Sequence, residues 1–229
     1  MRPERFLFPI AGTVPLLLAA TSAAAQQHDE QLWFQINTNV PIDDKLRLTL
    51  EQIVRVSEAQ DTVHQSEFGG ILGYRVAKGI ELGIGYRKVG NTSANEDRLR
   101  QQVIGTFGSF ATRFRVDERF HPGGDQIGFR IRPLVRYNHR LNGSGVAVFV
   151  SHESFILPNS TRWGQRSGYD RMRNVVGFVL PVSTHVAADI GYLNQYRLGR
   201  NGGQSLMEHA LSLQLTINLT GRPTPRLDD

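Results

Sequence analysis

The sequence predicts an all-β protein: an antiparallel transmembrane β-barrel of about 10–12 strands behind an N-terminal signal peptide. Three observations predict it. Apolar and polar residues alternate with period two in segment after segment, the signal of strands with two unlike faces. The segments are long, commonly ten to thirteen residues, where soluble strands average about five or six and a membrane strand needs about nine to eleven. Their connections alternate between short turns and longer Gly/Asn/Ser-rich loops, as in a barrel with turns at one rim and loops at the other.

The chain opens MRPERFLFPIAGTVPLLLAATSAAAQQ. Arg2 and Arg5 form a basic start, Phe6 to Ala20 an apolar stretch, and Ala23-Ala24-Ala25 a small-residue site, with cleavage between Ala25 and Gln26. This is the pattern of a secretory signal. Gly12, Pro9 and Pro15 interrupt the stretch and argue against a buried helix or anchor. The expected organisation is residues 1–25 as signal peptide, 26–219 as one barrel, and 220–229 as a polar tail. Beyond the signal no apolar run reaches eighteen residues, so no transmembrane helix is expected.

Eleven segments follow: 31–40, 45–57, 65–76, 80–89, 96–107, 110–120, 127–138, 145–156, 171–180, 185–197 and 205–219. KLRLTLEQIVRV sets Leu46, Leu48, Leu50, Val54 and Val56 against Lys45, Arg47, Thr49, Glu51 and Arg55. GIELGIGYR sets Ile80, Leu82, Ile84 and Tyr86 against Glu81, Gly83, Gly85 and Arg87. RFRVDERF places Arg113, Arg115, Asp117 and Arg119 on alternate positions around Phe114 and Val116, and FRIRPLVRY repeats the device with Arg130, Arg132 and Arg136. ADIGYLNQYR and EHALSLQLTINL close the series, with Ile190, Tyr192, Leu211, Leu213, Leu215 and Ile217 on one face. PIDD, AKG, GS, NHRLNGS and PVST are the short turns; DTVH, GNTSAN, HPGGD, LPNSTRWGQRSGY and LGRNGGQ are the opposite loops.

Alternation does not say which face is inside. A soluble sandwich or lipocalin-like barrel would bury Leu211, Leu213 and Leu215, whereas a membrane barrel turns them to lipid and its polar face inward. Segment length, small and oppositely charged residues on the polar faces, and aromatics near segment ends (Tyr74, Tyr86, Phe120, Tyr137, Tyr192, Tyr196) favour the membrane barrel. Single-chain bacterial barrels normally hold an even number of strands. Ten closed strands with LWFQINTNV outside the wall is the expected count, and twelve the alternative.

The formal net charge is +5, or +4 once Arg2, Glu4 and Arg5 leave with the signal. Export and the interleaving of bases with acids argue against nucleic acid as a partner. The chain has no cysteine, which excludes a thiol nucleophile or a Cys-ligated metal. Its seven histidines lack ligand spacing, so no metal and no cofactor are expected. Lys45, Lys78 and Lys88 are the only lysines, and arginine is the base preferred where a cation leaves bulk water and grips carboxylates with two bonds.

With these motifs in view the chain resembles the outer-membrane barrel family known only as domain of unknown function 2490, over about Trp33 to Leu219. The resemblance rests on Trp33, Glu51-x-x-x-Arg55, the Gly73-Tyr74, Gly85-Tyr86 and Gly191-Tyr192 doublets and Glu96-Asp-Arg98-Leu-Arg100-Gln101-Gln102. It extends through Arg113-Phe-Arg115-Val-Asp117-Glu118-Arg119, Arg130-x-Arg132 and Glu153-Ser-Phe155. It implies a fold and an outer-membrane location in a Gram-negative bacterium, with outer-membrane lipid and, during biogenesis, the barrel-assembly machinery as partners. It implies no activity. The last strand departs from the aromatic ending of many such barrels, since TGRPTPRLDD follows Leu219.

The candidate site is a charge network lining the interior: Glu51, Arg55, Glu67, Arg75, Glu81, Arg87, Glu96, Arg98, Arg100, Arg113, Arg115, Asp117, Arg119, Arg130, Arg132, Arg136, Glu153, Arg171, Arg173, Asp189 and Arg197. In one reading these groups pair as a polar core, because charges removed from water must be paired and hydrogen-bonded. In a second, the surplus of arginine makes a narrow pore or a site for a small anionic solute. A third reading is an outer-membrane hydrolase using Ser151, His152 or Glu153 with His64, His121, His139 or His209. Ser151 and His152 are adjacent on a strand and point to opposite faces, and G-x-S-x-G and H-E-x-x-H are absent. No catalytic residue and no enzyme is therefore expected.

Overall fold

The computed structural model describes residues 27–91, 94–141, 145–200 and 203–220. The signal peptide with its Ala25/Gln26 site, and the tail beyond residue 220, lie outside the described residues. Eleven strands are described: β1 (Gln27–Pro41), β2 (Leu46–Ser57), β3 (Thr62–Ala77), β4 (Ile80–Asn91), β5 (Asn95–Phe107), β6 (Phe110–Phe120), β7 (Gly128–Arg140), β8 (Ala147–Leu157), β9 (Gly168–Pro181), β10 (Val186–Arg197) and β11 (Leu206–Asn218). Each pairs with its sequence neighbours, and β1 pairs with β11 to close a barrel.

The expectation of ten closed strands is corrected by this closure. LWFQINTNV lies in the wall as β1, parallel to β11 from Gln27↔Leu206 to Asn39↔Asn218 and antiparallel to β2. With an odd number of consecutive antiparallel strands the first and last run the same way, so the seam must be parallel. Excluding β1 would leave β2 and β11 with open edges. The strand also carries both faces a wall needs: Gln31, Trp33, Gln35 and Asn39 are buried, while Leu32, Phe34 and Ile36 alternate with them. Asn39 Nδ2 donates across the seam to Asn218 Oδ1 at 2.9 Å. The start of β1 therefore sits at the loop rim, and the end of β11 at the turn rim.

Local chemistry sets the turns. Lys78-Gly79 and Gly108-Ser109 are two-residue hairpin turns whose glycines have φ +76° and +60°, the left-handed values that match the strands' twist. In PIDD the Asp43 carboxylate accepts the backbone N–H of Lys45 at 2.6 Å and of Leu46 at 2.7 Å. These bonds to the ionised form hold its carboxyl below the usual range. Ser183 caps the PVST turn in the same way, accepting from His185 and Val186. Pro133 lies inside β7, and the β7–β8 ladder runs from Ile131↔Ile156 to Leu134↔Glu153 with no pairing between, because proline offers no N–H.

The polarity of the barrel is inverted relative to a soluble one. Phe68 is 62% exposed and Leu211 51%, whereas Arg136 and Asp117 are 0% exposed and Arg115 1%. Outward Leu, Val, Phe and Tyr cover the wall, with Tyr74, Phe120 and Tyr137 near strand ends, whereas Tyr86 and Tyr192, expected there too, stand midway along β4 and β10. All three lysines are exposed; the interior uses arginine. Inward glycines make room for that filling: a Cβ on Gly69 would stand 2.8 Å from Arg87 Cα, and one on Gly177, opposite Gly191, 2.3 Å from Ile190 O. Two small apolar clusters complete the interior, Trp33 with Phe149, Val175, Leu193 and Ala210, and Ile104 with Ala111 and Leu134.

Candidate functional site: an arginine network inside the barrel

Because inward positions on neighbouring strands stack side by side, most of the long guanidiniums reach a carboxylate one or more strands away. Glu51 accepts from Arg87 at 2.7 Å and from Arg100. Glu67 accepts from Arg87 at 2.5 Å and Arg55 at 3.2 Å, with Arg98 at 4.0 Å. Glu96 takes two bonds from Arg119, at 2.7 and 2.9 Å, and another from Arg98. Asp117 is gripped by Arg130 at 2.6 and 2.9 Å, with Arg132 at 3.7 Å. Glu153 gathers Arg113 at 2.6 Å, Arg132 at 2.9 and 3.0 Å and Arg173 at 3.4 Å. Arg136 reaches Asp189 at 2.8 Å, Arg47 reaches Glu81 at 2.6 Å, and Arg197 reaches Glu208 at 3.2 Å. Arg115 donates to Gln102 Oε1 at 2.9 and 3.0 Å. Sharing one carboxylate between several planar forks lets few acids hold many arginines.

Of the residues expected in the network, Arg75 is not inside. It is exposed at the turn rim, where its Nη1 donates to Asp44 O at 3.3 Å. It still pairs with Glu81, ahead of the register shift between Arg75 and Ala77, so it keeps the inward parity but stands at the open mouth of the barrel with Arg47 and Glu81. Arg171 is half-buried and pairs with its neighbour Asp170 at 2.6 Å.

Aromatic rings are the part that motif reading missed. Trp33 lies between the guanidiniums of Arg55 and Arg173, 4.0 and 4.5 Å from its ring centre. Arg136 stacks on Phe149 at 3.7 Å. Phe155 meets Arg132 at 4.7 Å, Arg173 at 5.0 Å, and Arg130 and Arg171 at 5.6 Å each. Ring faces attract guanidinium without adding a carboxylate. The signal was parity: Phe155 is in step with Glu153, and Trp33 with Gln31 and Gln35.

Two spaces remain. A cavity of about 50 Å³ lies toward the turn rim among Asn37, Asn39, Thr49, Gln102, Gln214 and Thr216. A larger one, about 170 Å³, lies toward the loop rim. Its wall holds nine arginines, Arg55, Arg87, Arg98, Arg119, Arg130, Arg132, Arg171, Arg173 and Arg197, with Glu67 as the carboxylate among them. The connection after β8 fastens beside it. Gln165 is buried, accepts from Arg119 at 2.9 Å, and donates to Phe129 O and Asn159 O. Trp163 stacks on His121 at 4.8 Å and donates to Gln126 O at 2.6 Å.

A closed barrel, apolar outside and ionic inside, is the class that this fold and interior define. The model of the family described as "Protein of unknown function (DUF2490)" matches residues 30–206. An uncharacterised protein of Methylorubrum extorquens is 30% identical over 217 residues, 88% of this chain and 94% of that one. The chain belongs to the DUF2490 family. Among solved structures, a chain from a study of the in-meso crystallisation of membrane proteins aligns with TM-score 0.41 at 13% identity, over 78% of this chain and 79% of that one. The siderophore receptor PirA from Pseudomonas aeruginosa aligns with TM-score 0.29 at 14% identity, over 77% of this chain and 35% of its own.

Proposed function

We propose that the protein is an outer-membrane barrel whose own side chains shut its interior, so that it serves as a wall and platform and not as an open channel. The observation that carries this reading is the buried middle layer. Arg87, Arg100, Arg115, Arg136, Glu153, Phe149 and Phe155 are all nearly or fully excluded from solvent, with Arg115 bordering the turn-rim cavity and Arg87 and Phe155 the loop-rim one. Strands of 11–16 residues meet or exceed the roughly 9–11 needed to cross a bilayer, and the outward apolar face suits lipid. The assembly machinery and outer-membrane lipid would be its partners in biogenesis and residence. Purified, folded protein in planar bilayers is expected to give no stepwise conductance at neutral pH. Sustained unitary conductance would replace the plug with a pore.

The loop-rim chamber favours a second property, binding of a small anion. Its nine arginines share carboxylates that also serve Arg100 and Arg113, so the local field is positive and anions are concentrated there. At constant ionic strength, phosphate is expected to raise the thermal unfolding midpoint above that in chloride, by ligand linkage to the folded state. Arg171→Gln is expected to diminish the rise. Equal midpoints in the two salts would remove the anion site while leaving the plug intact.

A further inference from the structure

The outer wall carries a second constellation, separate from the interior network. His152 and Ser154 are two apart on β8 and so share its outward face. His152 Nε2 lies 3.0 Å from Ser154 Oγ, and His152 Nδ1 lies 2.7 Å from Oδ1 of Asn174, its ladder partner on β9. The hydroxyl of Tyr169 lies 3.0 Å from Ser154 Oγ. One set of protons satisfies the chain in a single direction: Tyr169 donates to Ser154, Ser154 to His152 Nε2, and His152 Nδ1–H to Asn174. That is the order of nucleophile, base and orienting group.

A backbone irregularity sets the geometry. Phe155 pairs with Arg171 but Ile156 with Tyr169, so Asp170 is an extra residue in β9. Were the strand regular through Asp170, Tyr169 would share the parity of Arg171 and point into the barrel. The bulge instead turns Tyr169 outward, 40% exposed, onto the serine. The group sits where the outer wall changes character. Val150, Val176 and Phe178 lie toward the turn rim and are about half exposed, while His152, Asn174 and Ser154 begin the polar level toward the loops. Asparagine suits this place, because it orients the ring without bringing a carboxylate charge beside lipid.

We propose that Ser154, His152 and Asn174 form an acyl-ester hydrolase site on the barrel exterior, acting on the carboxylic esters of acylated lipids that lie against the wall. Ser154 Oγ attacks the ester carbonyl carbon as His152 Nε2 takes its proton. Tyr169, freed from Oγ, is placed to donate to the carbonyl oxygen as it gains charge. The bond to the lipid alcohol then breaks, and His152 returns the proton to the leaving oxygen, giving acyl-Ser154 and the free alcohol. Water from the headgroup zone attacks the acyl carbon, gives a proton to His152, and releases the carboxylic acid. Ser154 recovers its proton, so the net change is ester plus water to acid plus alcohol. Ser154 and His152 are the catalytic residues, and Asn174 is a positioning residue.

The test uses the full folded barrel in detergent, with a fluorophosphonate probe and two lipid substrates. These are dioleoyl phosphatidylethanolamine in mixed micelles and purified lipid A; whichever releases fatty acid identifies the source of the ester. Wild type is expected to be labelled at Ser154, mapped by peptide mass, and to release fatty acid from one of the two. Ser154→Ala and His152→Gln are expected to lose that release by about 10³-fold or more, and Asn174→Ala to lose less. Ser151→Ala, on the inward face, should keep both label and release. Each variant is run unboiled and boiled, so a lost barrel is read separately from a lost nucleophile. Absence of the label from folded wild type, its persistence in Ser154→Ala, or no fatty acid from either lipid would overturn the assignment.

Discussion

Deleting residues 27–41 is expected to abolish the folded barrel, leaving no compact, heat-sensitive band and no protease-resistant core. The strand joins β11 on one side and β2 on the other. Without it each neighbour presents a long row of unpaired backbone groups. At a net contribution of about 0.5–1.5 kcal/mol for each lost backbone hydrogen bond, two such edges cost on the order of 10 kcal/mol, comparable to the whole stability of an ordinary domain. Trp33 goes with them, and with it the ring between Arg55 and Arg173. Were ten antiparallel strands sufficient, as even parity suggests, the shortened chain would still fold and run compactly.

Replacing Glu153 with leucine is the second large effect. Its two oxygens hold Arg113, Arg132 and Arg173 in a site where the carboxylate is 2% exposed. Removing one member of a buried ionic group leaves the others charged and uncompensated, which costs about 3–5 kcal/mol. The urea midpoint of Glu153→Leu should therefore fall far below that of wild type. Arg113→Leu combined with Glu153→Leu should recover part of the loss, because one stranded cation is removed. Lys88→Ala provides the contrast: its pair with Asp97 spans 3.2 Å but both side chains are largely exposed, and such pairs contribute about 0–1 kcal/mol. Equal midpoints for Glu153→Leu and Lys88→Ala would mean that the interior charges are hydrated.

Period two made most of the wall legible. Every strand has one face of Leu, Val, Phe and Tyr, and each stretch from KLRLTLEQIVRV to EHALSLQLTINL takes the place its alternation implies. The turns were legible for the same local reason, since AKG, GS and PVST carry the Gly and Ser that tight reversals need. Closure was not legible. The parity of a barrel is a global property, and nothing local in LWFQINTNV distinguishes a wall strand from a strand beside the wall. Arg75 failed through its height: its alternation points it inward, but it stands at the rim where the barrel mouth opens to solvent. The Ser154–His152–Asn174 group was hidden for a different reason. Ser151 is the serine next to His152 in sequence and sits on the wrong face, while Asn174 and Tyr169 arrive only through pairing with β9 and its extra residue Asp170.

The most direct measurement is fractionation of cells expressing the full chain, with outer-membrane and periplasmic fractions run boiled and unboiled on a detergent gel. An apolar outside and an ionic inside lead to recovery in the outer membrane, with a compact unboiled band that shifts on heating. Recovery as a soluble periplasmic protein without the shift would contradict that polarity, because Leu211, Phe68 and Phe178 could not then remain on an outer face in water.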